Sequence, residues 1–258
     1  MLYQDTFLTV YILVIAGVLG AVFGSFLNCM AWRIAHNESV LKGRSHCPSC
    51  GHILGPLDLI PIFSWLFLKG KCRYCGEKIS ARYFAVEVMM AAAFVLIVAR
   101  YDVSFEALRY LVLICILLTL SLVDLELYII PDGTIIAGIV WWLATVPLMA
   151  EPWTEQLKSG LIAAFGVAAA MLILSILFDK ITGKESLGGG DVKLFFMTGL
   201  YLGPWVTLFN LILACVVGII FVIAMKQKKI PFGPAISAAV FVSLLAGSDV
   251  TGWYLSLF

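Results

Sequence analysis

Cys47-Pro-Ser-Cys50 and Cys72-Arg-Tyr-Cys75 sit in residues 33–82, the only long polar stretch of an otherwise apolar chain. Two CxxC pairs can bring four thiolates to one tetrahedral point, which is what a structural Zn2+ requires. Each pair runs directly into a glycine, Gly51 and Gly76, as a tight knuckle needs. Disulfides are the competing reading, and a reducing, cytosolic loop argues against them. Redox chemistry needs only one such pair. His46 and His52 flank the first pair and could replace a ligand, but a supporting position outside the ligand set is expected. Four protein ligands leave no open position, so the metal reads as structural. Cys29, Cys115 and Cys215 fall in apolar helices and read as small core residues.

Outward from the loop, the chain is 62% hydrophobic and only 13% charged, against roughly 25% charged in a soluble domain. A chain of 258 residues cannot bury that much apolar surface in a globule, so it reads as an all-α polytopic membrane protein. Hydrophobic runs predict about eight membrane helices, near 7–30, 83–100, 105–123, 133–150, 159–179, 191–203, 205–225 and 234–256. The sixth and seventh form one apolar stretch, split only at Gly203-Pro204. No Lys or Arg precedes the first run, so residues 7–32 read as a permanent first helix rather than a cleaved signal. The domain division expected is a first helix (1–32), a zinc-binding loop (33–82) and a membrane core (83–258).

Basic residues orient the bundle. With the 33–82 loop in the cytosol, all 17 Lys and Arg except Arg100, Arg109 and Lys158 fall on the cytosolic side, as the positive-inside rule requires. Both termini are then expected on the outer side. The net charge of +1 says nothing about nucleic acid, but with no basic domain or aromatic-interleaved basic strip no nucleic-acid partner is expected.

Two aspartates fall at similar depth on the cytosolic side: Asp124, ending the third membrane helix, and Asp191, opening the sixth after Gly188-Gly189-Gly190. Ionisable groups at the bilayer edge are expensive to hold and are functional candidates. Two carboxyls that meet can share a proton, one activating water while the other polarises a carbonyl. That is peptide hydrolysis without a metal or a nucleophilic side chain. The three glycines would let a substrate backbone approach. The alternative for Asp191 is a helix N-cap after a glycine hinge. Asp132, following Pro131, reads as a cap. Lys193 could bias the charge on Asp191 or reach to headgroups. Glu87 is a further buried-carboxylate candidate near an interface, where pairing with a loop arginine is an equal reading. There is no HExxH, GxSxG or Walker A loop, and all three histidines lie in the loop, so serine chemistry of the intramembrane kind lacks its base. A proton-coupled transporter would show paired repeats, and none is visible. A scaffold that merely presents the zinc loop to partners would make the aspartates dispensable.

The chain resembles the bacterial type IV prepilin peptidases. Gly24-Ser-Phe-Leu-Asn28 with Arg33 resembles their opening motif. The two CxxC pairs, Asp58-Leu-Ile-Pro61 and Ile79-Ser80 with Arg82-Tyr83 resemble their cytosolic domain. Asp124 with Ile130-Pro-Asp132 resembles the first catalytic motif, and Gly188-Gly-Gly190-Asp191-Val-Lys193 the GxGD motif shared with presenilin-type proteases. Ile230-Pro-Phe-Gly-Pro234 resembles a late motif. Ala35-His36 departs from the usual Leu-Pro. The resemblance implies an aspartyl endopeptidase of the bacterial inner membrane, with Asp124 and Asp191 catalytic. Its substrates would be prepilins or type II secretion pseudopilins, with a basic leader cut from an N-terminal apolar helix. It also implies N-methylation of the new terminus with S-adenosylmethionine. No residue pattern read directly from the sequence supplies a methyl-donor site.

Overall fold

The computed structural model describes residues 5–40, 43–149, 152–183, 188–225 and 231–258. Lys42, Lys184, Lys226, Lys228, Lys229 and Ile230, which entered the charge count or the late motif, lie outside the described residues. Among the described residues the secondary structure is helical, apart from one isolated bridge across each cysteine knuckle, His46 with Ile53 and Lys71 with Lys78. The chain folds as two compact units, 1–107 and 108–258.

The first unit is built on two long apolar helices, α1 (Thr6–Ala35) and α3 (Ala81–Tyr101), with the cysteine loop and the short α2 (Phe63–Phe67) between them. Asp5 caps α1 by accepting from the Phe7 amide, and Ser80 caps α3 by accepting from the Arg82 amide. The helices pack through Gly20-Ala-Val-Phe-Gly24. A Cβ on Gly24 would lie 3.0 Å from Met90 Cβ and 3.1 Å from Glu87 Cα, and one on Gly20 would overlap the Met90 carbonyl. Small residues four apart let apolar helices approach closely where no water drives them together.

The second unit holds most of α4 (Phe105–Leu127), then α5 (Asp132–Thr145), α6 (Trp153–Thr182), α7 (Gly189–Met225), α8 (Gly233–Val242) and α9 (Ser248–Leu255). A π-turn, Ser243–Gly247, joins the last two. Its core is Leu113, Leu120, Trp142, Leu194, Phe195, Met197 and Ile236. Arg109 is buried and partly compensated: it donates to Gln156 Oε1 at 3.2 Å and lies 5.1 Å over the Tyr201 ring.

Six of the described helical segments are long and apolar enough to cross a membrane, against the eight expected. Two features account for the difference. The helix expected over 133–150 is shorter, because Pro147 falls in a 3₁₀ turn, Val146–Leu148, that ends it. The helices expected over 191–203 and 205–225 are continuous in hydrogen bonding as α7, but Gly203 within it is not helical, with φ 70° and ψ 174°. Packing tells what happens there. The Phe232 ring centroid lies 6.4 Å from that of Phe195, and a Cβ on Gly218 would lie 2.6 Å from the same Phe232 ring. Residues 195 and 218 of a straight helix would be about 35 Å apart. One phenyl ring reaches both only if α7 folds back at Gly203. Glycine tolerates the left-handed φ, and Pro204 has no N–H with which to continue the first half. The first half lies on α6, where a Cβ on Gly199 would be 3.0 Å from Ala164 Cα. The second half packs on the α8–α9 segment, where a Cβ on Gly247 would be 2.6 Å from Val206.

Candidate metal centre and carboxylate site

In the first unit the sulfurs of Cys47, Cys50, Cys72 and Cys75 all lie within 4.8 Å of one another, and Cys47 Sγ is 3.9 Å from Cys75 Sγ. Tetrahedral thiolates about 2.3 Å from a zinc ion stand about 3.8 Å apart, so the cluster has the dimensions of a metal site. Each knuckle is closed by its glycine in the left-handed region, Gly51 at φ 71° and Gly76 at φ 73°. In each, that glycine's amide donates to the carbonyl of the first cysteine, Gly51 to Cys47 and Gly76 to Cys72. Desolvation acts to raise the Cys47 thiol. The backbone amides of Cys50 and Ser49 and the thiols of Cys50 and Cys72 outweigh it, and Cys47 falls to about 7. Amides aimed at a sulfur stabilise the thiolate that a metal needs. Neither flanking histidine joins the set. His52 stacks on Tyr74, with ring centroids 3.5 Å apart, and His46 meets Trp32 edge-on.

Asp58 ties the second knuckle to the chain between the pairs. Its carboxylate accepts from Arg73 Nε at 2.7 Å, Tyr74 Oη at 3.1 Å and the Gly55 amide at 3.0 Å. Partial desolvation acts to raise its pKa. The Gly55 amide and the Arg73 and Tyr74 side chains more than offset this, so the net shift is below the usual carboxylate range. Glu87, 6% exposed on α3, accepts from the Ile62 amide at 2.6 Å, so the loop contact that the structure supplies is a backbone one.

In the second unit, Asp124 is in the last turn of α4 and 4% exposed. The Gly233 amide at the start of α8 donates to its Oδ2 at 2.9 Å. No side chain fits there: a Cβ on Gly233 would stand 2.7 Å from the same oxygen. Asp191 lies in the first turn of α7, and its own amide donates to Gly188 O at 3.0 Å. α7 begins at Gly189, so Asp191 is two residues inside the helix, with its carboxylate beside the Gly188 backbone that precedes it. The turn before it is pressed on the chain that follows Asp124: a Cβ on Gly190 would be 3.2 Å from Ile130 Cβ. That packing makes the helix ends that carry Asp124 and Asp191 neighbours. Gly188 and Gly189 are exposed, and nothing lies within 4 Å of where a Gly189 Cβ would be.

Lys193 points elsewhere. Its Nζ donates to Asp132 Oδ1 at 2.7 Å, with both side chains more than half exposed. Asp132 makes no capping bond to α5, whose N-cap is Pro131. The expected cap is therefore an ion pair between the starts of α5 and α7. Two residues that sequence reasoning gave no role, Gly233 and Asp58, hold the two sites. The only signal for either was its place in a short motif with proline.

Comparison with known proteins agrees with this layout. Residues 18–101 match the model of the Bacterial Peptidase A24 N-terminal domain, and residues 111–223 match that of the Type IV leader peptidase family. A prepilin leader peptidase/N-methyltransferase of Aeromonas salmonicida (strain A449) is 36% identical over 84% of this chain and 76% of its own length. The Bacillus subtilis (strain 168) protein of the same name is 31% identical over 93% of this chain and 96% of its own length. A type 4 prepilin-like proteins leader peptide-processing enzyme of Escherichia coli O78:H11 is 34% identical over 87% of this chain and 90% of its own. No solved structure matches the chain. With both segments matched in order and identities above 30% over most of its length, the chain belongs to the type IV leader peptidase family, the A24 aspartic proteases.

Proposed function

We propose that the enzyme removes the basic leader from type IV prepilins or type II secretion pseudopilins at the cytosolic face of the bacterial inner membrane, with Asp124 and Asp191 as its catalytic pair. The observation that supports this reading is that the start of α7, which carries Asp191, packs against the chain that follows Asp124, while Asp124 itself is buried and held by a backbone amide. The amide bond suits an ionised Asp124, which takes a proton from water. Asp191, protonated, donates to the scissile carbonyl as the hydroxide adds. The proton taken by Asp124 then passes to the leaving nitrogen as the C–N bond breaks, and one hydroxyl of the collapsing gem-diol returns its proton to Asp191. The exposed Gly188 and Gly189 give an extended substrate backbone room beside Asp191.

The substrate's apolar N-terminal helix would stand among the protein's helices, with its leader at the cytosolic edge. Irregular backbone at that depth needs a wet, protein-lined cleft. Counting α5 as a crossing and α7 as two gives eight spans, with both termini on the outer side and the 33–82 loop in the cytosol. In the loop, a Zn2+ bound by Cys47, Cys50, Cys72 and Cys75 would be structural, because all its positions are filled by protein. The names of the relatives, which include N-methyltransferase, extend the reading to N-methylation of the new terminus; S-adenosylmethionine as the methyl donor rests on the family resemblance alone.

Replacing Asp124 or Asp191 with Asn and co-expressing a prepilin tests the pair. Mass spectrometry of the pilin N-terminus should show an intact leader with either variant. Full processing by either one rejects the dyad.

A further inference from the structure

Outside the two sites, the most unusual surface of the first unit is the segment from Pro56 to Phe67. Leu57, Ile60, Phe63, Leu66 and Phe67 are all exposed, Phe67 to 81%. This segment is not in a membrane helix. It belongs to the polar loop, where such a run of apolar side chains is not expected.

Its position explains it. α2 is fastened to the start of α3 at two points. Trp65 stacks on Phe84, with centroids 5.0 Å apart, and donates to Ile79 O at 3.3 Å. The Ile62 amide reaches Glu87, the seventh residue of α3. Glu87 lies about 9 Å along the helix from Ala81 at 1.5 Å per residue. α3 is itself a candidate span from its first residue. The aromatic turn is therefore held alongside the first two turns of a helix long and apolar enough to cross a membrane.

The backbone is strained to keep it there. Ile62 has φ 66° and ψ −56°, and the Phe63 amide donates to Pro61 O at 2.6 Å. This is a positive-φ γ-turn, a rare conformation, at a β-branched residue. Such strain persists only where neighbours over-determine it, and the Glu87 carboxylate is the neighbour here. The turn directs Trp65 inward onto α3 and leaves Phe63 and Phe67, 6.3 Å apart, outward. Charge points the same way. From Pro56 to Arg82 the chain carries Lys69, Lys71, Arg73, Lys78 and Arg82 against Asp58 and Glu77. An apolar segment followed in the chain by a run of net positive charge suits an anionic leaflet.

We infer that the Pro56–Phe67 segment is a membrane-interfacial anchor, lying in the leaflet on the loop's side, with Leu57, Phe63 and Phe67 among phospholipid acyl chains. It would hold the metal-binding knuckles flat against the bilayer rather than leaving them to swing on the ends of α1 and α3. The inference rests on membrane insertion and does not depend on the catalytic pair.

Photocrosslinking tests it in the full-length protein. p-Benzoylphenylalanine replaces Phe67 in one variant and Leu57 in another, each reconstituted in phosphatidylethanolamine–phosphatidylglycerol nanodiscs with a prepilin present. A third variant carries the probe at Tyr74, on the second knuckle, as the comparison. Mass spectrometry should find phospholipid adducts at 67 and 57, at least about tenfold more abundant than at 74. Adducts at 67 and 57 to prepilin or another protein alone would overturn the inference and make the face a protein-docking site. Equal lipid labelling at all three positions, or none at 67 and 57, would overturn it as well. Each variant is first required to copurify with its metal, so a misfolded loop is excluded before labelling is read.

Discussion

The four-cysteine cluster and the carboxylate pair are both built from residues far apart in sequence, yet they are built in opposite ways. In the cluster every position is a side chain held by its own knuckle, with Gly51 and Gly76 closing each turn and Asp58 clasping the second from outside. In the carboxylate site the side chains number two, and most of the rest is backbone: the Gly233 amide under Asp124 and the glycines before Asp191. A centre that must stay closed uses side chains to fill space. A centre that admits a peptide, as proposed for the two aspartates, would use their absence. The two should accordingly fail differently. Asp124→Asn or Asp191→Asn should lower leader removal by about a thousandfold or more, in line with loss of general acid–base catalysis, while metal content stays stoichiometric. Cys50→Ser should reverse the pattern, releasing metal and reducing accumulation in the membrane. Atomic absorption on the purified variants, beside the cleavage assay, separates the two. A Cys50→Ser protein that keeps its metal would erase the distinction.

Gly233 sharpens the contrast with a smaller effect. A methyl group there must displace the Asp124 carboxylate, since it would stand 2.7 Å from Oδ2. Overpacking of this kind usually costs about 1–3 kcal/mol. If it falls on the reacting geometry, Gly233→Ala should lose roughly 10- to 100-fold in kcat/KM. Gly166→Ala, in α6 with nothing within 4 Å of the new methyl, should be silent. Equal activity in the two variants would mean that the Gly233 contact positions nothing.

This contrast also explains how much could be read in advance. The four-cysteine cluster was legible because a knuckle is local: four residues and a glycine carry its geometry, whatever surrounds them. Asp124 and Asp191 were legible only as charges at a membrane edge, and it took the fold to bring α4, α7 and α8 together around them. Gly233 could not be read, because its contribution is an N–H that every residue but proline has. Asp132 misled for a related reason. An Asp after Pro at a helix start has the pattern of a cap, but the nearby Lys193 at the start of α7 offered a stronger partner than an amide. The fold class came from composition. The reversal at Gly203 came from a Gly-Pro pair inside an apolar stretch too long for one crossing. The short α5 was missed because hydropathy continues past Pro147 although the helix cannot.

Asp58 is the outside clasp of the closed centre and should respond to acid. Its carboxyl titrates below the ordinary range when folded, so its stabilising contribution is present above the unfolded value, about 3.9, and lost as the pH falls through the folded one. The difference in proteolytic resistance of the loop between the parent and Asp58→Asn should therefore stay constant from neutral pH down to about 4.5 and shrink below about 4. Comparing against the variant at each pH removes the effect of protonating the thiolates. A difference that vanishes already at pH 6 would place the contribution elsewhere.

The weakest coupling expected is that of Lys193 with Asp132, and it decides whether the open centre extends past its carboxyls. Both side chains are mostly in solvent, 56% and 67% exposed, and an exposed ion pair contributes about 0.2–1 kcal/mol. If the lysine only ties α5 to α7, Lys193→Met and Asp132→Asn should each be mild. The double variant should be no worse than either single one, and KM for prepilin should not move. If Lys193 instead met the substrate, Lys193→Met would change KM while Asp132→Asn did not. The basic leader sets the sign: a cation beside its path repels it, so removing Lys193 would tighten binding rather than weaken it. A fall in KM confined to the lysine variant is thus the one result that would carry the substrate path beyond Asp191 to the outer edge of α7.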